Sequence, residues 1–185
     1  MSDFGILREI KDDELELMLA WRNDPKVRAN MYTRHTISLQ EHISWWERTK
    51  HRADQRYYMF EYEGKATGIA AFSSIDTANG SSAWAYYAAP NAPKGSGSRM
   101  EFLMLDEAFN TLKLHKLYCE VLAFNTAVIT LHQKFGFTVE GIFRQHYCLD
   151  TEYVDIYRLG ILKDEWPLYR SAMFNKLASF AKEIK

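Results

Sequence analysis

The stretch YAAPNAPKGSGSRMEFLMLDEAFN, residues 87–110, combines the features of a ligand-holding turn. Pro90 and Pro93 end an extended aromatic run, and Lys94-Gly95-Ser96-Gly97-Ser98-Arg99 then leads straight into apolar residues at helical spacing. The start of a helix exposes unpaired N–H groups and a partial positive charge. Glycines ahead of it let an anion approach the backbone with no Cβ in the way. Together they suit a phosphate or pyrophosphate, although an ordinary flexible strand-to-helix loop shares this composition. Gly95-x-Gly97-x-x-Met100 lacks the third glycine of the dinucleotide fingerprint, and no Gly-Lys-Ser/Thr follows as in a nucleotide P-loop. The six histidines, with Cys119 and Cys148, show no metal-ligand spacing, so no metal site is expected. No Gly-x-Ser-x-Gly elbow or cysteine-protease signature occurs.

The elements that must position this turn read as follows. Residues 4–10 form a short strand. A helix over 12–24 takes Asp12 or Asp13 as N-cap and stops at Asp24-Pro25. Residues 38–52 form a second helix with a Ser38/Glu41 capping box, its buried face supplied by Ile43, Trp46 and in part Trp45. Strands over 57–62, 67–75 and 81–90 follow, joined by turns at 63–65 and 78–80. Ser98 to Leu112 is helical. Residues 116–125 are an apolar strand ending at Asn125, and 126–135 a short helix closed by Gly136 in the left-handed conformation. Two strands around an Asp150-Thr151 turn and a helix over 163–184 complete a mixed α/β (α+β) chain, read as one domain over 1–185.

With 185 residues and 47% hydrophobic content, the chain is long enough for a real core. A net charge of −1 gives no field for nucleic acid. The basic run ERTKHRADQR, 47–56, reads as a solvated face. Two isolated cysteines make no disulfide framework and fit a reduced, cytoplasmic setting. The acidic N-terminus is unlike a signal peptide. No apolar run approaches the ~20 residues needed to cross a bilayer. Five Trp and eleven Tyr are many for a dry core, and some should line a pocket.

Downstream, Glu120-Val121-Leu122-Ala123-Phe124-Asn125 is followed by Leu131-His132-Gln133-Lys134-Phe135-Gly136-Phe137. With the Gly95-x-Gly97 turn, these motifs resemble the GCN5-related N-acetyltransferase (GNAT) superfamily over residues 4–166. The resemblance implies a central, mostly antiparallel sheet with a splayed parallel pair, flanked by helices. It also implies acetyl-CoA as acetyl donor, its pyrophosphate held at Lys94, Gly95, Ser96, Gly97, Ser98 and Arg99. It further implies amides of Tyr87, Ala88 and Ala89 on the thioester, and Asn125 on the pantetheine arm. The alternative role for Asn125 is helix N-cap. Two positions depart from the family pattern. Ala92 replaces the Arg or Gln usual three residues before the first glycine, which leaves the pyrophosphate mostly to backbone amides, helped by Lys94 and Arg99. His132 replaces the usual acidic tyrosine, with Tyr147 as a rival.

Glu120 is the implied general base and His132 the implied acid, the alternatives being an ion-paired strand carboxylate and a helix-surface histidine. Met18 to Asn23, Val27-Arg28, SLQEHISWW and GILKDEW resemble the amino-sugar acetyltransferases of pseudaminic acid synthesis, a pathway leading to flagellin glycosylation. That implies a UDP-linked 4-amino-4,6-dideoxy sugar as acceptor, with Trp21, Arg22, Asn23, Arg28, His42 and Trp46 around it. For the tryptophans and His42 the alternative is core packing. Acetylation of ribosomal-protein N-termini and non-catalytic acyl-CoA binding are the rival functions. An exposed edge in the C-terminal strands is compatible with a homodimer.

Overall fold

The computed structural model describes the backbone of residues 4–183 and side chains through Ser179. Ile184, the expected end of the last helix, lies outside the described residues. Among the described residues, seven strands form one sheet: β1 (Ile6–Arg8), β2 (Arg56–Tyr62), β3 (Lys65–Asp76), β4 (Ser81–Ala88), β5 (Lys116–Leu122), β6 (Thr138–Leu149) and β7 (Glu152–Leu162). Their spatial order is β1-β2-β3-β4-β5-β7-β6, antiparallel throughout except for β4 and β5. The parallel pair needs a long crossover, supplied by residues 89–115.

Helices α1 (Leu15–Asn23), α2 (Pro25–Arg28) and α3 (Leu39–Thr49) precede β2, and α4 (Ser96–Asp106), α5 (Thr126–Lys134) and α6 (Trp166–Glu183) follow β4. Two apolar cores lie on the two faces of the sheet. Ala70, Phe72, Trp84, Leu117, Cys119 and Val121 meet α4 and α5 through Phe102, Leu105 and Ile129. Met59 and Ile69 meet α1 and α3 through Leu15, Met18, Trp21 and Trp46. Strand alternation therefore sends neighbouring residues of β4 and β5 to opposite faces.

The local signals explain most element ends. Asp24 closes α1, and its Oδ1 accepts from Lys26 N at 2.8 Å to cap α2, with Pro25 at the first helical position. Ser38 Oγ accepts from Glu41 N at 3.2 Å. The return half of the expected capping box is replaced by a bond between Glu41 and His35 at 3.0 Å. The expected cap at Asp12 or Asp13 is absent: Lys11 precedes a short 3-10 turn over Asp12–Glu14, and Asp12 Oδ1 accepts from Trp46 Nε1 instead. Helix α4 starts two residues earlier than its apolar spacing suggests, because Gly95, at φ 88°, makes the left-handed turn itself. Its C-terminal end widens into a π-turn over Glu107–Thr111. In the basic run, Lys50 pairs with Glu47 and Asp12, and Arg52 with Asp54, as a solvated face should. Among the described residues no helix is long and apolar enough to cross a membrane. Also among them, no cluster of His, Cys, Asp or Glu could hold a metal ion.

Candidate active site

Strands β4 and β5 pair at only three positions, Ser81 with Lys116, Ser82 with Leu117 and Ala83 with Tyr118, and then separate. The gap is a cleft of about 450 Å³ whose walls include Tyr86 to Pro90 on one side and Glu120, Val121, Leu122 and Asn125 on the other, with His132 and Val128 at its base. The opened edge of β4 presents backbone groups. Ala89 N donates to Thr67 O across β3 at 2.9 Å, and strand amides alternate between sides. Of the three expected amides, those of Tyr87 and Ala89 are therefore directed at β3, and Ala88's at the cleft. The amide of Tyr86, which the sequence reading missed, is directed at the cleft as well.

The first turn of α4 lies beside this cleft, Gly97 approaching Tyr86 and Leu131. A Cβ on Gly95 would stand 3.0 Å from Arg99 Nη1. The Ser96 amide and hydroxyl both bond to Pro93 O, whereas the amides of Gly97 and Ser98 have no acceptor within the helix. Lys94 is exposed beside them. Arg99 departs from expectation. It is 1% exposed, donates from Nη1 to Lys94 O at 2.9 Å and stacks 4.3 Å over Tyr62. It supports the turn from beneath rather than facing an anion.

Glu120 shares the cleft with Tyr32, whose phenol is pushed up to about 12 by burial and by the charge of Glu120. Glu120 Oε1 accepts from Arg158 Nη1 at 2.9 Å, and Arg158 lies 3.6 Å over the Tyr118 ring. The ion-pair alternative is thus realised at a carboxylate that still borders the cleft. Asn125 precedes α5 but makes no side-chain cap bond; its carbonyl takes the Val128 and Ile129 amides. Its side-chain amide remains for the cleft.

His132 is 3% exposed, and its Nδ1 lies 2.8 Å from Glu101 Oε1, with Glu101 fully buried on α4. Tyr86 OH donates to Glu101 Oε2 at 3.4 Å. Burial disfavours charge on the imidazole, but attraction to Glu101 and the adjoining Cys119 outweigh it, so the ring keeps its proton up to about 10. Burial lifts the Glu101 carboxyl above its ordinary range, with His132 pulling the other way. Tyr147, the expected rival acid, is committed elsewhere: its hydroxyl donates to Tyr32 O at 2.7 Å.

On the other face of β4 lies a second pocket of about 420 Å³, reached past Met31, Tyr86 and Tyr87, which line both cavities. Helices α1 and α3 contribute Arg22, Glu41, His42, Trp45 and Arg48; the sheet contributes Tyr57, Ala71 and Ser73. Arg22 Nη1 and His42 Nε2 are sealed from solvent and have no hydrogen-bond partner among the described residues. Arg22 Nη2 donates to Thr33 O at 3.1 Å, and His42 stacks on Trp45 at 5.2 Å. Burial lowers the pKa of both.

The other expected acceptor residues are used structurally. Trp21 and Trp46 belong to the core beneath α1 and α3. Asn23 clamps Ile37 through its backbone N–H and C=O at 2.9 and 2.8 Å. Arg28 donates to Thr36 Oγ1. The α3 face that does line the pocket, residues 41, 42, 45 and 48, has helical spacing, and that was the signal available for Trp45 and Arg48.

The family described as Acetyltransferase (GNAT) domain matches residues 6–138. Acetyltransferase PseH of Campylobacter jejuni subsp. jejuni serotype O:23/36 (strain 81-176) is 29% identical over 143 residues, covering 76% of this chain and 88% of that protein. Spermidine N(1)-acetyltransferase of Escherichia coli strain K12 is 22% identical over 161 residues, covering 86% and 87%. The crystal structure of spermidine N-acetyltransferase from Vibrio cholerae, in complex with CoA and spermine, superposes with a TM-score of 0.82 at 22% identity, covering 88% and 97%. The chain belongs to the GNAT acetyltransferase family, and its activity class is acetyl-CoA-dependent N-acetyl transfer.

Proposed function

We propose that the protein acetylates the amine of an anionic, nucleotide-linked amino sugar, a UDP-linked 4-amino-4,6-dideoxy sugar of the kind in pseudaminic acid synthesis. The observation that carries this reading is the charge of the second pocket. Arg22 and His42 line it, each with a buried nitrogen that has no partner among the described residues, and Arg48 adds a second guanidinium. Such a lining suits a diphosphate, for which arginine is the apt partner. Trp45 and Tyr57 offer flat faces to a base or sugar ring. A polyamine acceptor is the second reading, favoured by the spermidine acetyltransferases among the relatives. It would meet two arginines, and the one acidic side chain among the residues named in the pocket, Glu41, is already bonded to His35.

In this reading the amides of Gly97 and Ser98 take the donor's pyrophosphate, and the Asn125 amide bonds the pantetheine arm. The Ala88 and Tyr86 amides lie along the opened edge, where a thioester carbonyl gains stabilisation as it becomes an oxyanion. Glu120 removes the amine proton directly or through a water, and His132 protonates the departing thiolate. Acetyl-CoA supplies the activated acetyl group. The test is a thiol-release assay comparing UDP-amino sugars, spermidine and N-terminal peptides. Turnover should favour the sugar nucleotide; faster turnover of spermidine or of peptides would reject the substrate. Glu120→Gln should lower kcat by about 10²-fold.

A further inference from the structure

We propose that Glu101 is a positioning residue for the transfer step: it takes the Nδ1–H of His132 and so aims Nε2–H at the cleft where the thiolate forms. The proposal rests on the reading of His132 as proton donor. Residues 101 and 132 are brought together from α4 and α5, 2.8 Å apart, beneath the cleft floor. The ring is fixed on its other sides by Trp84 and Phe137, with centroids 5.3 and 5.2 Å away. The polar groups facing it are Glu101 from α4, Tyr86 from β4 and Cys119 from β5. His132 also hydrogen-bonds Cys119, which lines the cleft with it, and with Nδ1 engaged by Glu101 it is Nε2 that a ligand between β4 and β5 would meet. A buried ion pair is a weak source of stability, so its position against the reacting groups is what gives it a use. The arrangement follows the logic by which a buried carboxylate fixes the tautomer and orientation of a histidine that moves protons.

The neutral amine attacks the thioester carbonyl carbon and a C–N bond forms. Collapse of the tetrahedral species breaks the C–S bond, and the electron pair leaves with sulfur. The Nε2 proton passes to sulfur to give the thiol, while Glu120 accepts the proton lost by nitrogen. Exchange with solvent then returns a proton to His132 and removes one from Glu120. Glu101 keeps its charge throughout and stabilises the imidazolium before the transfer.

The experiment uses the full chain with Glu101→Gln, Glu101→Asp, His132→Gln and the Glu101→Gln/His132→Gln double variant. It reads kcat and both KM values across pH, with ¹⁵N NMR of the His132 ring. Expected for Glu101→Gln is a fall in kcat of at least about tenfold at pH ~8 with little change in KM. Activity should recover toward lower pH, and the His132 titration should move down. Glu101→Asp should keep more activity than Glu101→Gln, and the double variant should be no slower than His132→Gln. A Glu101→Gln enzyme with wild-type kcat and pH profile, or a double variant slowed by the product of the single effects, overturns the proposal. If Glu101→Gln does not fold, Glu101→Asp decides through the same profile and NMR titration: an unmoved titration and unchanged kcat reject the role. Wild-type rates in His132→Gln would instead sink the underlying assignment of the acid; a slow His132→Gln beside a normal Glu101→Gln sinks only the role of Glu101.

Discussion

Replacing Gly95 with alanine tests whether the turn before α4 holds the donor. Gly95 sits at φ 88°, and a Cβ there would meet Arg99 Nη1 at 3.0 Å. An L-residue in the left-handed region costs roughly 1–2 kcal/mol. The turn can release that strain by moving, or the fold can bear it. If it moves, the Gly97 and Ser98 amides lose their alignment. With each 1.4 kcal/mol worth about tenfold, KM for acetyl-CoA should rise roughly 5- to 30-fold, with kcat much less affected. If the fold bears it, Tm should fall by roughly 2–8 °C for a chain of this size. Gly64 is the control: its φ is 73°, nothing lies within 4 Å of its would-be Cβ, and it occupies the β2–β3 turn. Gly64→Ala carries the same backbone penalty far from the cleft. Thiol release at varied acetyl-CoA, together with thermal melts of both variants, separates the two effects. Donor KM values in Gly95→Ala that match those of Gly64→Ala would refute the assignment of this turn.

Three further outcomes are expected. Arg22→Met should raise the acceptor KM about 10- to 100-fold, the worth of a charge-assisted bond, and leave the donor KM unchanged; steady-state kinetics with a UDP-amino sugar checks it. Trp45→Ala should weaken acceptor binding with a small change in Tm, whereas Trp46→Ala should cost about 3–5 kcal/mol of stability, because Trp46 is 6% exposed in the core and bonded to Asp12; paired melts and kinetics discriminate them. The His132 proton is held in the folded state up to about 10, above its reference near 6.5, so the stability it contributes is complete below pH ~6.5 and is lost as pH rises through about 10. Between pH ~8 and ~10.5, Tm should therefore fall further in the wild type than in the Glu101→Gln/His132→Gln double variant.

Strand alternation, the Gly95 turn and the run from Glu120 to Phe137 were legible because each depends on local chemistry: period, positive φ, and motif spacing. The cleft between β4 and β5 follows from them. The residues expected around an acceptor were harder. Arg99 looked like an anion ligand because it follows the glycines, yet its side chain folds back onto the Lys94 carbonyl, which only the three-dimensional turn specifies. Trp45 and Trp46 are adjacent on α3, and one residue of helical rotation, about 100°, decides which one lines the pocket beside Arg22 and which enters the core. Asn23 reads as a ligand residue by motif but closes the loop to Ile37. Glu101 carried no signal at all, since nothing in a chain read alone joins positions 31 residues apart on two helices.

The three-residue weld between β4 and β5 has a consequence beyond catalysis. The four strands from Ile6 to Ala88 and the three from Lys116 to Leu162 are each contiguous in the chain. The cleft is thus also the seam between two half-sheets, which are joined on one face by the core that Trp84 shares with Leu117 and Phe137. A molecule lodged there spans both and adds to their cohesion by mass action, as RT ln(1 + [L]/Kd). In the proposed reading the donor is that molecule, and its binding fastens the two half-sheets along the line where their strands part.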